Sequence, residues 1–365
     1  MENFIFFDAL QDLENVENNA VARQNVNMNV VDPVNVVDAM TNEQFRKTFR
    51  LSKELFEYLQ DILRPYLQQG PRRTNINIKT KILVALRFFA TGSYQLDIGY
   101  NCYWGLSQSS VSRCIRQVVT ALNHPNIFTE WVKFPRNLGE LNDVRLKFYQ
   151  KYRVPGVIGC IDCTHVAIFP PRIEDPVHPE HIYVNRKGYH SLNVQLICDT
   201  NLKILNVNAI YPGSTNDAFI WSNSQVKATL QRIHAAGHTD YYLLGDSGYP
   251  LRAYLLTPVG GDPAPNTPES FYNNIHKRIR STIERCNGLL KMRFRCCLKH
   301  RVLHYAPEYA SQIVNACIVL HNLCIEHNIP EPDQNYDDID LGKINVNANF
   351  PICVSLLSRY TTTWQ

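Results

Sequence analysis

The sequence predicts an α/β protein, a mixed sheet with flanking helices preceded by an all-α segment. Three observations carry that expectation. Leu51, Leu55, Tyr58, Leu59, Ile62 and Leu63 recur at helical spacing in the first third of the chain. From Pro155 the texture changes: VIGCIDCTHVAI (157–168) is the short apolar run of a buried strand, and residues 189–198 and 203–210 alternate as strands do. The order of three strands in antiparallel sequence, a helix, a further strand and then helices is that of a ribonuclease-H-like sheet.

Taken in order, residues 1–40 are rich in Asn and Val without periodicity and read as a variable or disordered leader. Thr41-Asn42-Glu43-Gln44 has the form of a capping box opening a helix. A second helix covers 51–67, and a third runs from Ile78 to Ala90 and stops at Gly92. Next comes a short helix, a turn and a helix starting near Ser107, with Val111, Cys114, Ile115, Val118 and Leu122 facing inward. Arg113 and Arg116 then face outward. That pair fits a helix-turn-helix DNA reader or any other helical bundle. Phe134-Pro135 is expected to end the all-helical region, within a helical domain bounded at 41–150.

In the second half, Asp199-Thr200-Asn201 turns one strand into the next, and Pro212 to Asp217 opens a helix over Ala218–Trp221. Tyr241–Leu244 is a compact strand ending at Gly245-Asp246. Seven Pro and Gly residues between Pro250 and Pro268 mark an irregular connection. A basic helix follows over 270–291, and Pro307 opens a long apolar helix ending near His327. This second domain spans 155–328, and residues 329–365 read as an acidic linker and tail.

The chemistry is carried by acids in unusual places. Asp162 interrupts an otherwise apolar strand, and an unpaired buried carboxylate costs several kcal/mol or protonates. Asp246 ends the fourth strand, Asp217 opens a helix, and Glu284 is the only acid among nine Lys and Arg between Lys277 and Arg301. Two carboxylates about 4 Å apart repel by about 4 kcal/mol at an effective dielectric near 20, so a shared pocket calls for a cation. All-oxygen ligands suit Mg²⁺ or Mn²⁺. On the basic helix, Lys277, Arg280, Glu284, Asn287, Lys291 and Arg295 fall on one stripe, whose cations could hold a phosphate backbone.

GCIDCTH (159–165), VNRKGYHSLNVQLICD (184–199), YPGSTNDA (211–218), LLGDSGYP (243–250) and RSTIERCNGLLKMRFRC (280–296) resemble, in order, the signature blocks of PIF/Harbinger transposases and of the animal nucleases derived from them. The resemblance covers about 41–328 and implies a DDE-type catalytic domain. Carried over by motif, Asp162, Asp246 and Glu284 form the catalytic triad, and Asp162, Asp217, Asp246 and Glu284 ligate Mg²⁺ or Mn²⁺. It further implies a DNA substrate, nuclear and cytoplasmic location, and a Myb/SANT-like partner for targeting and import. Two departures stand out: Cys163 where such transposases often have Gly, and Cys286-Asn287 where Thr-Phe is common. Neither removes a metal ligand. The implied activity is phosphodiester hydrolysis without transposition; the alternatives are an active transposase and an inert DNA-binding or partner-docking protein.

Composition narrows the field less. The formal net charge is only +4 over 365 residues, so whole-chain charge does not announce a nucleic-acid partner. No run approaches the roughly 18 apolar residues of a membrane span, and the N-terminus lacks the basic start of a signal peptide. Eleven cysteines, an odd number, point to reduced thiols in a cytosolic or nuclear protein. Cys160, Cys198 and Cys317 lie in apolar runs and are expected to pack as small hydrophobes. Cys160 and Cys163 form a CxxC, but a strand points them to opposite faces. His321, Cys324 and His327 fall at a helical spacing that suits a metal, but read first as packed residues of a last helical turn.

Overall fold

The computed structural model describes residues 37–67, 76–100 and 105–332. All but the last four residues of the expected leader, and the tail beyond 332, lie outside the described residues.

The first helix, α1 (Asn42–Phe49), starts as the sequence dictates. Thr41 accepts from the Gln44 amide, and the Gln44 side chain accepts from the Thr41 amide. Helix α2 (Lys53–Leu63) is capped by Ser52, and α3 (Ile78–Thr91) ends at Gly92, whose φ of 64° is the left-handed cap glycine supplies. Next come α4 (Gln95–Gly99) and α5 (Gln108–Leu122), the latter capped by Ser107 and burying Val111, Cys114, Ile115, Val118 and Leu122 as its spacing required. The helical region does not stop at Phe134-Pro135. After α6 (Pro125–Trp131) comes α7 (Leu138–Tyr152), which fully buries little besides Leu141 and Phe148 and so carries a faint stripe.

Strand β1 (Val157–Ala167) sits at the centre of a five-stranded sheet of order β3-β2-β1-β4-β5. The antiparallel neighbours are β2 (Ser191–Cys198) and β3 (Ile204–Pro212). The parallel ones are β4 (Tyr242–Leu244) and β5 (Leu255–Leu256). This topology is consistent with the ribonuclease-H-like arrangement. Between β2 and β3, Asp199 accepts from the amides of Asn201 (2.8 Å) and Lys203 (3.0 Å), which builds the expected turn. Helices α8 (Asp217–Ser222) and α9 (Gln225–Ala235) connect β3 to β4. β5 lies inside the segment expected to be irregular; at two residues it has no periodicity to read.

One layer on the sheet packs Leu141 of α7, Trp221 of α8 and Leu230 of α9 with Ile158, Ile161, Ile197, Leu243 and Leu255. Helices α10 (Pro268–Arg293) and α11 (Pro307–Glu326) complete the frame, both opening on proline at a first-turn position where its missing N–H costs nothing. The Cys160 thiol of β1 donates to the Ile279 carbonyl of α10. Asn322 of α11, fully buried, accepts from the Ile204 amide (2.8 Å) and donates to the carbonyls of Ile204 (2.7 Å) and Trp131 (2.8 Å). One side chain thereby ties α6 and β3 to α11, and the described residues up to Pro330 form one compact unit. Among the described residues, no helix is long and apolar enough to cross a membrane.

Candidate active site

Asp162 lies mid-strand on β1, paired across to Leu196 of β2. It shares a strand face with Cys160, so its carboxyl meets α10. Its side chain is 18% exposed. Burial pushes the carboxyl up to about 7, with the nearby charges of Asp246 and Asp217 adding to the rise and Arg280 opposing it. Two aspartates from distant parts of the chain therefore act electrostatically on Asp162.

Each of the others is held by local structure. Asp246 follows β4 and accepts the Gly248 amide at 2.9 Å, a tight turn in which a Cβ on Gly248 would stand 3.1 Å from the Asp246 oxygen. Asp217 is the first residue of α8, behind the N-cap Asn216. Its Oδ1 accepts from Asn193 Nδ2 at 2.9 Å, and the same amide reaches the Thr215 carbonyl at 2.8 Å. On α10, Arg280 and Asn287 turn toward β1, while Glu284, at helical spacing from both, is exposed. Asn287 donates to Asp162 Oδ2 at 3.3 Å, Arg280 Nη1 lies 4.0 Å from the same oxygen, and Arg280 Nη2 is hydrogen-bonded to Glu284. Glu284 therefore reaches the site through Arg280.

Asp217 and Asp246 lie near enough to act on Asp162, whereas Glu284 is tied to Asp162 through Arg280, and the acids do not close on a point. Among the described residues, no three of them bring ligand oxygens within 4.8 Å of one another. Mutual repulsion opposes closer approach, and the Arg280 guanidinium supplies the positive charge beside Asp162. A separate cleft of about 620 Å³, lined by Asn142, Arg145, Tyr149 and Tyr242, contains none of these acids.

The cations divide into two groups. Lys291 points inward: its ammonium donates to the His165 carbonyl at 2.7 Å, and burial lowers its pKa. Arg280 is likewise engaged with acids. The stripe of α10 expected to face DNA thus lies, at Arg280 and Lys291, over β1. Lys277 is exposed, and Arg295 sits half-buried in the turn after α10. Arg113 is exposed and bonds Ser109 and Ser110 of its own helix, and Arg116 lies over the Tyr309 ring. His321, Cys324 and His327 go separate ways, to the Leu202 carbonyl, the Arg50 carbonyl and the Tyr58 ring.

Sequence reasoning missed the amides. Asn193 and Gln195 are buried on β2, and Gln195 donates to the Tyr249 hydroxyl (3.4 Å), itself 3.3 Å from the Cys163 sulfur. The signal was there: Ser191, Asn193 and Gln195 are polar at every second position of a wholly buried strand.

The donor chemistry fits a hard divalent cation. Besides the four carboxylates, the buried oxygens Asn193 Oδ1, Gln195 Oε1 and Asn287 Oδ1 have no protein partner, and a hydrated Mg²⁺ or Mn²⁺ offers donors to such acceptors. Cys163 does not change the set, because burial holds its thiol well above the ordinary range and thus neutral.

A five-stranded mixed sheet with flanking helices, carrying Asp162 on β1, Asp246 just after β4 and Asp217 at the start of the helix after β3, defines a mixed α/β protein. Residues 161–322 match the family described as DDE superfamily endonuclease. Over 296 residues the chain is 36% identical to Putative nuclease HARBI1 of Bos taurus and 35% to that of Homo sapiens, in each case covering 80% of both chains. It is also 25% identical over 317 residues to Protein ALP1-like of Arabidopsis thaliana, covering 82% of this chain and 74% of the relative. No solved structure matches. The chain belongs to the DDE superfamily endonucleases derived from harbinger transposases.

Proposed function

We propose that this chain is a divalent-metal-dependent DNA endonuclease that hydrolyses phosphodiester bonds without joining ends. The observation that carries the reading is Asp162: a carboxyl in a buried strand, raised by burial and by two further aspartates, faces a helix that offers Glu284. Asp162, Asp217, Asp246 and Glu284 would hold Mg²⁺ or Mn²⁺. When bound, such ions activate water and stabilise charge on the scissile phosphate.

The chain's own residues do the rest. Asn193 orients Asp217, and the Gly248 amide fixes Asp246. Asn287 and Arg280 share the Asp162 oxygen, so α10 sets the position of that carboxyl. Lys277, exposed at the first half of α10, offers a charge to a phosphate backbone. By family resemblance the protein works in nucleus and cytoplasm with a Myb/SANT-like partner that supplies DNA targeting.

Plasmid DNA with purified protein and Mg²⁺ or Mn²⁺ tests this. Nicking or linearisation is expected from the native chain and none from Asp162→Asn; cleavage that persists in the variant ends the proposal. The Arg280 bridge favours one rival, an inert docking protein whose acids are neutralised internally. Calorimetric titration with Mn²⁺ separates the two, since the nuclease binds the ion and weakens on Glu284→Gln.

A further inference from the structure

Cys296 and Cys297 lie in the single 3₁₀ turn that follows α10, and Cys317 lies on α11. All three are fully buried. Cys296 Sγ is 3.6 Å from Cys317 Sγ and 3.9 Å from Cys297 Sγ, and all three sulfurs lie within 4.8 Å of one another. Among the described residues the other buried thiols gather no third sulfur, although Cys198 and Cys286 face each other as a pair. Cys160, Cys286 and Cys324 each donate to a backbone carbonyl, those of Ile279, Leu202 and Arg50. Cys296 faces two sulfurs.

Those separations have a chemical meaning. With a metal–sulfur bond of about 2.3 Å, three thiolates around one ion stand about 4.0 Å apart if trigonal and about 3.8 Å if tetrahedral. The two separations from Cys296, 3.6 and 3.9 Å, fall near that range, and the third pair lies within 4.8 Å, so three ligands of one ion are already gathered. Charge balance also fits. Three thiolates with Zn²⁺ leave one negative charge, which the half-buried Lys291 ammonium, near enough to act on Cys297 electrostatically, offsets. Soft sulfur ligands select Zn²⁺ or Cu⁺ and reject the hard ions suited to the carboxylates.

We propose that Cys296, Cys297 and Cys317 form a second metal site, structural in role, that takes one thiophilic d¹⁰ cation, Zn²⁺ by charge balance. Its position gives it work to do. A Cβ on Gly92, the cap of α3, would stand 2.9 Å from the Cys296 backbone, so three elements meet there: α3, the end of α10 and α11. An ion would clamp the C-terminal end of the helix that bears Arg280, Glu284 and Asn287. Lys291 extends the link to β1 through the His165 carbonyl. Binding displaces a proton from each thiol to solvent and involves no redox step.

The test uses the full chain, expressed in zinc-supplemented medium and purified without chelator. Elemental analysis is expected to give about one zinc per chain, retained in Asp162→Asn and falling at least about tenfold in Cys297→Ser. Cys324→Ser, a buried cysteine outside the trio, keeps the metal and serves as the folding control. Reconstitution of the native chain with Co²⁺ reads the ligands directly, because thiolate coordination gives an intense sulfur-to-metal charge-transfer band. Absence of zinc in the native protein together with no charge-transfer band on Co²⁺ loading overturns the proposal. So does full metal retention in Cys297→Ser.

Discussion

The Arg280 guanidinium stands between two acids that the sequence separates by more than a hundred residues, 4.0 Å from Asp162 Oδ2 and hydrogen-bonded to Glu284. It is the cation that opposes the upward push on Asp162. In Arg280→Gln the opposing charge is gone, so Asp162 ionises at higher pH. The acid limb of the cleavage pH profile is expected to move upward by about one unit. An unmoved limb would show that Asp162 is not the group titrating.

Stability should run against activity at the same position. Asp162 has a folded-state pKa of about 7 against 3.8 for an ordinary aspartate. A raised acid contributes stability that is fully present below pH 3.8 and lost as pH rises through 7, because the unfolded chain then ionises freely while the folded chain cannot. Without added metal, Asp162→Asn is therefore expected to be more stable than the native chain at pH 8, by a few kcal/mol at most, and nearly equal at pH 4. Urea denaturation at both pH values measures the difference.

Asn193 positions Asp217 while taking no part in charge. Removing its amide in Asn193→Ala is expected to lower Mn²⁺ affinity or turnover about 10- to 100-fold, the usual cost of losing a group that orients a ligand. Asn193→Asp, which cannot donate, should do no better. Calorimetry and cleavage rates on the two variants decide it.

The two kinds of lysine on α10 should part company in DNA binding. Lys277→Ala removes an exposed charge and is expected to reduce the slope of log affinity against log salt by about 1. Lys291→Met leaves that slope unchanged. It strips the His165 carbonyl of its donor, costing about 1–3 kcal/mol of folding stability.

What the sequence revealed depended on how far each signal reached along the chain. Caps and strands were legible because their determinants are local: Thr41 with Gln44, Gly92, the run around Asp162, the Asp199 turn. Helix α7 was not, since it buries too few residues fully to show a stripe, and β5 exists only through its pairing with β4. The polar stripe of α10 was visible but ambiguous. A face turned to water and a face turned to a cluster of acids have the same pattern, so Arg280 and Lys291 read as surface charges. The three sulfurs gave no hint at all, because Cys317 comes 20 residues after Cys297 with no motif joining them.

Asn322 has a bearing on how the molecule comes apart. With one amide bonded to Trp131 and twice to Ile204, it fastens the last of the helices before Leu138 to the sheet and to α11 at one buried point. Pulling either portion free strands buried backbone groups in the other. The chain should consequently melt in one cooperative step, and a fragment ending at Arg153 should remain a molten or aggregating polypeptide with no fold of its own.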